Sequence, residues 1–247
     1  MECPKCGFEQ AMQIDECPRC GIVFSKIQKA REPVKRPFVP VEDEEVTERQ
    51  SIFEFIKGLF FDVEFEINPF LLGGRVLFFI VMIFWGIVLM SASIESNHVA
   101  QSFWHLVNLP FHEAGHVVFR PFGRIMHSMG GSMGQLLMPL ICFAVFLLKT
   151  RDQFAASFSI WWLGENFLDM APYINDARSL SLPLLGGNTG YSSPYGFHDW
   201  EFILKELGLA RYDHFLAGCA RLTGIFLMLL SFVWCTYILV KQNKCLK

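Results

Sequence analysis

Uncharged apolar runs dominate the second half of the chain. Val76 to Ile94, Met133 to Leu148 and Leu222 to Val240 contain no Asp, Glu, Lys or Arg, and the span expected over the last extends back to about Phe215. A fourth run, Gln153 to about Pro172, is apolar at first and then polar. Each is near the ~20 helical residues that a bilayer core requires. His98 to Phe122 differs, because His98, Gln101, His105, Asn108, Pro110 and Arg120 interrupt it. It predicts a kinked span or a helix that only partly enters the bilayer. Upstream, Ser51 to Phe61 alternates Phe and Ile with Glu54 and Lys57, the pattern of an amphipathic helix lying on a membrane surface. Phe61 to Ile67 is also open to a strand reading, since Val63, Phe65 and Ile67 alternate with acids.

Basic residues flank these runs at Arg75, at Lys149-Thr150-Arg151 and in the tail from Lys241 to Lys247. Four full spans with a re-entrant His98–Phe122 segment place all three flanks on the cytosolic side. Arg120 and Arg124 favour the other topology, in which that segment spans fully. Of the 247 residues, 52% are hydrophobic and 26 are Phe, more than a polar-surfaced globule needs. The net charge of −3 gives no reason to expect nucleic-acid binding.

The N-terminus has no apolar stretch of the signal-peptide kind, so the first module is expected in the cytosol, where thiols stay reduced. Two C-P-x-C-G knuckles hold Cys3, Cys6, Cys17 and Cys20. In each, two thiolates from one tight turn can bind one ion, and Gly7 and Gly21 permit the turn. Four thiolates close a tetrahedral shell, which makes the site structural. Cys142, Cys219, Cys235 and Cys245 are scattered, and those in the apolar stretches read as packing thiols. Between Lys26 and Gln50 a basic, Pro-containing stretch precedes Glu42-Asp43-Glu44-Glu45, a solvated linker by composition.

The chemistry concentrates at His112-Glu113-Ala114-Gly115-His116. On a helix the two imidazoles share a face and can bind one Zn²⁺, with Glu113 beside the metal as general base. Pro110 suits the start of that helix, and Gly115 leaves room for close packing. Two histidines need a third protein ligand. The polar end of the fourth run is the best source: Glu165, Asn166, Asp169, Tyr173 and Asp176 fall within one arc of about 100°. Asp169 and Asp176 can both face the motif helix, with Pro172 bending the helix between them, and helical geometry does not separate them. His198 and Asp199 are further candidates, although Asp199 also suits the N-cap of a helix from Trp200 to Leu207. His127, His105 and His98 read as non-ligands.

These residues resemble the membrane-embedded zinc metallopeptidases of the site-2 protease type, in a divergent form. The resemblance rests on His112 to His116, Phe122-Gly123-Arg124, Gly130-Gly131-Ser132 and the segment Asn166 to Asp176. It covers about Val76 to Val240. It implies His112 and His116 as ligands, Glu113 as base, and Asp176 as third ligand because of Asn175-Asp176-Ala177, with Asp169 as the alternative. The common signature ends in Leu-Asp-Gly, whereas here Ala177 and Arg178 follow Asp176.

The expectation is an all-α integral membrane protein of about four to five membrane helices with a small N-terminal zinc ribbon built on four cysteines. Residues 1–25 form the ribbon, 26–50 the linker, 51–74 an interfacial segment and 75–247 the metallopeptidase domain. It binds one catalytic and one structural Zn²⁺ and hydrolyses peptide bonds of membrane proteins or peptides. Asn166 is the candidate for holding substrate or oxyanion, and Gly186 to Gly190 forms a flexible loop. A polar cavity should open beside the motif helix, to admit water. The expected location is a bacterial inner membrane with the N-terminus cytosolic, where the ribbon can meet a protein partner. The alternatives are a non-proteolytic zinc-binding or zinc-sensing membrane protein, with a closing ligand such as His198, and a membrane-anchored scaffold.

Overall fold

The computed structural model describes residues 3, 6–9, 15–23, 52–63 and 68–245, so the linker at 26–50 and the alternating stretch 64–67 lie outside the described residues. The chain divides into two units, Met1–Arg49 and Gln50–Lys247. In the first, the described residues are the two cysteine knuckles and their surroundings, and an isolated antiparallel bridge between Glu16 and Val23 closes the second knuckle.

The second unit is helical, with no strand among its described residues. Its helices are α1 (Ile52–Phe61), α2 (Pro69–Ser91), α3 (Phe103–Phe119), α4 (Arg124–Ala144), α5 (Gln153–Asn175), α6 (Asp199–Glu206) and α7 (Asp213–Cys245). Helix α2 begins seven residues before the uncharged run, because Asn68 accepts from the Phe70 amide and Pro69 occupies the first turn. Helix α4 begins at Arg124, well before Met133, and passes into a π-helical turn, Val145–Thr150. Helix α3 starts at Phe103, capped by Ser102, so Pro110 lies inside the helix and not at its start. A prolyl nitrogen there leaves the carbonyl one turn back without its helical partner.

Helix α5 is the centre of the unit. Ala156, Ser157, Trp161, Glu165 and Asn166 have no exposed surface. It packs along α7, where a Cβ on Gly164 would stand 2.8 Å from the Gly224 carbonyl oxygen, and where the Ser231 hydroxyl donates to the Ser157 carbonyl at 2.6 Å. Helix α2 closes the core with Phe79, Met82 and Leu89 against Trp161, Met228 and Cys235. The outward faces are apolar: Phe70, Leu77 and Phe84 on α2, Leu140 and Ile141 on α4, and Leu222, Phe226 and Val233 on α7 are exposed. Three helices are long and apolar enough to cross a membrane, Pro69–Ser91, Arg124–Thr150 and Ala210–Lys244. Large exposed apolar faces on such helices mark a membrane protein.

The basic flanks gather at one end of the bundle. Arg75 pairs with Asp152 at 3.1 Å, Arg151 lies over the Phe55 ring, and the Lys241 ammonium donates to the Phe61 carbonyl. Helix α1 is held at the same end, its Phe60 carbonyl accepting from the Trp234 indole and its Leu59 carbonyl from Gln153. The start of α4, the end of α5 and α6 lie at the opposite end.

Candidate metal centres

The four cysteines of the first unit converge. Their sulfurs all lie within 4.8 Å of one another, with Cys3 to Cys20 at 3.7 Å and Cys6 to Cys17 at 3.8 Å. A tetrahedron with metal–sulfur arms of about 2.3 Å has edges of ~3.8 Å, so the set fits an ion bound by four thiolates. The two knuckles repeat one geometry. The Gly7 and Gly21 amides return to the Cys3 and Cys17 carbonyls, and both glycines have positive φ, 69° and 67°. Replacing Cys3 and Cys17 together by Ser is expected to remove one metal ion per chain and no more, measured by elemental analysis of the purified protein.

In the second unit His112 and His116 stand one turn apart on α3 with ring centroids 4.8 Å apart. Together with the Glu113 carboxylate their ligating atoms lie within 4.8 Å of one another. The opposite face of each ring is fixed. His112 Nδ1 lies 2.7 Å from Gln135 Oε1 on α4. His116 Nδ1 lies 2.8 Å from the His127 carbonyl, an atom that can only accept. Nδ1 is therefore the donor in His116, and in His112 with the amide as placed, which leaves both Nε2 lone pairs facing one point. His127 returns the contact, its own Nδ1 lying 2.9 Å from the His116 carbonyl.

Close helix contact makes this possible. A Cβ on Gly115 would fall 2.0 Å from the Gly130 oxygen, and one on Gly134 would fall 2.3 Å from the Phe111 oxygen. Gly131 lies directly beneath the ligand atoms: its Cβ would be 2.4 Å from His112 Nε2 and 2.6 Å from His116 Nε2. Gly131→Ala is therefore expected to push the two rings apart. We expect metal affinity at this pair to fall by roughly 10-fold or more, on the order of the losses seen when ligand support is removed. Titration with a competing chelator checks this, with the cysteine site as internal reference.

The carboxylate that meets the histidines is Asp199. Its Oδ2 lies 3.4 Å from His112 Nε2 and 3.3 Å from His116 Nε2. It occupies the first position of α6, not the cap. His198 is the cap, its Nδ1 accepting from the Glu201 amide at 3.1 Å, so the Asp199 side chain is free to leave the helix. Tyr173 holds both ends of Asp199, accepting from its amide at 3.0 Å and donating to Oδ2 at 3.3 Å.

Neither carboxylate expected as third ligand approaches the pair. Asp176 caps the end of α5 and is consumed by the loop that follows. Its oxygens accept from Ser179 Oγ, from the Ser181 amide and hydroxyl, and from the Leu182 amide, and lie 3.4 Å from His198 Nε2. Burial alone would raise its pKa. These partners, His198 foremost, outweigh burial and hold it well below the ordinary value of 3.8. The stability it adds is present above that ordinary value and lost as pH falls through the depressed one. Asp169 does face α3, but nearly two turns before His112, against His105 at 2.9 Å and Asn108 at 3.2 Å. Asn166 is fully buried and its amide donates back to the Trp162 carbonyl; no hydrogen bond joins it to the histidines. His198 points at Asp176, and its ring lies 4.2 Å from that of Tyr173 at a tilt of 40°.

A cleft of about 330 Å³ is lined by Phe122, Gly123, Arg124, Ile125, Phe202 and Glu206. The histidines do not line it. Comparison with protein-family models, curated proteins and solved structures gave no match.

Proposed function

We propose that this chain is a membrane-embedded zinc endopeptidase of the site-2 protease type, acting on peptide bonds of membrane-associated substrates. The observation that carries the reading is the convergence of His112 Nε2, His116 Nε2 and the Asp199 carboxylate, with Glu113 beside them. Two imidazoles and one carboxylate are a catalytic zinc donor set, and they leave a position open. His198, the group that would have closed it, is turned to Asp176. When bound, zinc supplies a Lewis acid that polarises the scissile carbonyl and acidifies water. Glu113 takes the proton of the attacking water as the new C–O bond forms, and delivers it to the amine as the C–N bond breaks. Gln135 and the His127 carbonyl keep both imidazoles oriented, while Tyr173 does so for Asp199. The cysteine site takes the structural zinc, and its module suits a cytosolic protein partner.

Four spans fit this bundle best: α2, α4, α5 and α7. Helix α5 has 23 residues, about 35 Å of helix, and its polar groups are covered by protein. Helix α3 has 17 residues and re-enters. The basic end then faces the cytosol of a bacterial inner membrane, with the ribbon on that side, and the histidine pair opens towards the other face.

The test uses the full chain in lipid vesicles with single-span peptides of varied sequence. Cleavage that stops on chelation and returns with Zn²⁺ is expected. Two bound metals per chain with no cleavage of any peptide would leave a zinc-binding or zinc-sensing membrane protein in its place.

A further inference from the structure

A second group of ionisable side chains lies between α3 and α5, and peptide hydrolysis makes no use of it. Asn108 is its centre. The Trp162 indole N–H donates to Asn108 Oδ1 at 2.9 Å. An indole N–H can only donate, so the amide nitrogen must point the other way. It donates to two carboxylates at once, Glu165 Oε2 at 2.7 Å and Asp169 Oδ2 at 3.2 Å. Asp169 also meets His105 Nδ1, at 2.9 and 3.2 Å from its two oxygens. Glu165 is completely buried, and its other oxygen, Oε1, has no partner.

The charges do not balance. The titratable groups that face Glu165 are Asp169 on its own helix and, through Asp169, His105 on α3. No Lys or Arg of α2, α4 or α7 makes an ion pair with either acid among the described residues. One histidine can neutralise one carboxylate. A second anion would sit on a shared neutral amide, near the middle of α5, with a bare oxygen. Burying an unpaired carboxylate so deeply costs far more than binding a proton.

We propose that Glu165, Asp169, Asn108 and His105 form a proton-binding site inside the helix bundle, separate from the histidine pair, with Glu165 carried as the carboxylic acid. A neutral acid leaves an uncharged oxygen without a partner, which the interior tolerates better than an unpaired charge. His105 is the way in, since its side chain is 35% exposed and that of Asp169 only 4%. The site has a mechanical connection as well. Asn108 precedes His112 by one turn of α3, and Asp169 precedes Tyr173, which holds Asp199, by one turn of α5. Loss of the proton would set two anions against one amide at the place where α3 docks on α5.

Infrared spectra of the full-length protein in detergent at neutral pH test this without reference to proteolysis. A carboxylic-acid carbonyl band that shifts in D₂O is expected. It should vanish in Glu165→Gln and persist in Asp169→Asn. Glu165→Gln, a neutral isostere of the acid, should melt at the wild-type temperature or above it. The proposal is overturned if the Glu165→Gln and wild-type spectra superimpose in the acid region, or if Glu165→Gln melts several degrees lower. It is equally overturned if the wild-type band appears only after chelation, because the site would then hold a metal ion.

Discussion

Asp199→Ala is expected to strip the metal from the histidine pair and leave the cysteine-bound ion, so that content falls from two ions per chain to one. The proposed three-ligand site loses a third of its protein donors and its one anionic ligand with this substitution, and the two imidazoles alone cannot hold the ion against water. The fall in affinity should exceed the ~10–100-fold typical of removing a group that only orients a ligand. Cleavage should fall with it. Two further variants set the scale. Tyr173→Phe removes the hydroxyl that touches the Asp199 amide and carboxylate but leaves the carboxylate itself. Its loss should fall within that ~10–100-fold range. Asp176→Ala releases Ser179, Ser181, Leu182 and His198. It loosens the loop that delivers Asp199 without touching the metal position, so a weakened site that refills at higher zinc is expected. Retention of both ions by Asp199→Ala, with loss of one from Asp176→Ala, would return the ligand role to Asp176.

The contrast between these two aspartates shows where the sequence was legible. Long uncharged runs have one stable outcome in a bilayer, and α2, α4 and α7 follow from them with errors only at the ends. Those errors came from local chemistry: Asn68-Pro69 starts α2 early, and the small residues from Ser128 to Gly134 extend α4 towards the motif helix. The two cysteine knuckles and the histidine pair were legible because their spacing is their geometry. The polar stripe of α5 was also legible, and it does face α3, yet its acids serve the buried cluster and the loop, while its Tyr173 reaches the metal position. Asp199 was among the candidates, but a local ambiguity ranked it behind Asp176 and Asp169. An aspartate at a helix start is an ordinary cap, and nothing nearby shows that His198 takes the capping role instead. Its approach to His112 depends on a loop of 23 residues, from Asp176 to His198, closing back on α5. Such a return is a tertiary event with no periodic signal. Gln135 and the His127 carbonyl were missed for the same reason, since their role comes from the contact of Gly115 with Gly130 and Gly134, not from any motif of their own.

Glu113→Gln should retain both metal ions and lose cleavage. Glu113 is exposed and its carboxylate lies within 4.8 Å of the ligating atoms of both histidines; in the proposed site Asp199 is the third ligand and Glu113 the base. The amide therefore replaces it with little change in packing or in the donor set. What it removes is basicity: a carboxamide accepts a hydrogen bond but cannot take the proton of the attacking water near neutral pH. Loss of a positioned general base costs about 10²–10⁴ in rate, or roughly 3–5 kcal/mol in the barrier. The effect should fall on kcat, because the base acts in the transition state and contributes little to holding substrate. Metal analysis and cleavage kinetics on one preparation decide the matter. Loss of metal from Glu113→Gln would make Glu113 a ligand. Retention of metal with wild-type cleavage would mean that the base lies elsewhere, or that the hydrolysis measured is not performed at this site. Glu113→Asp separates a base from a passive anion. It restores the acid–base group about one methylene short of the water, so partial activity is expected from it and none above background from the glutamine variant.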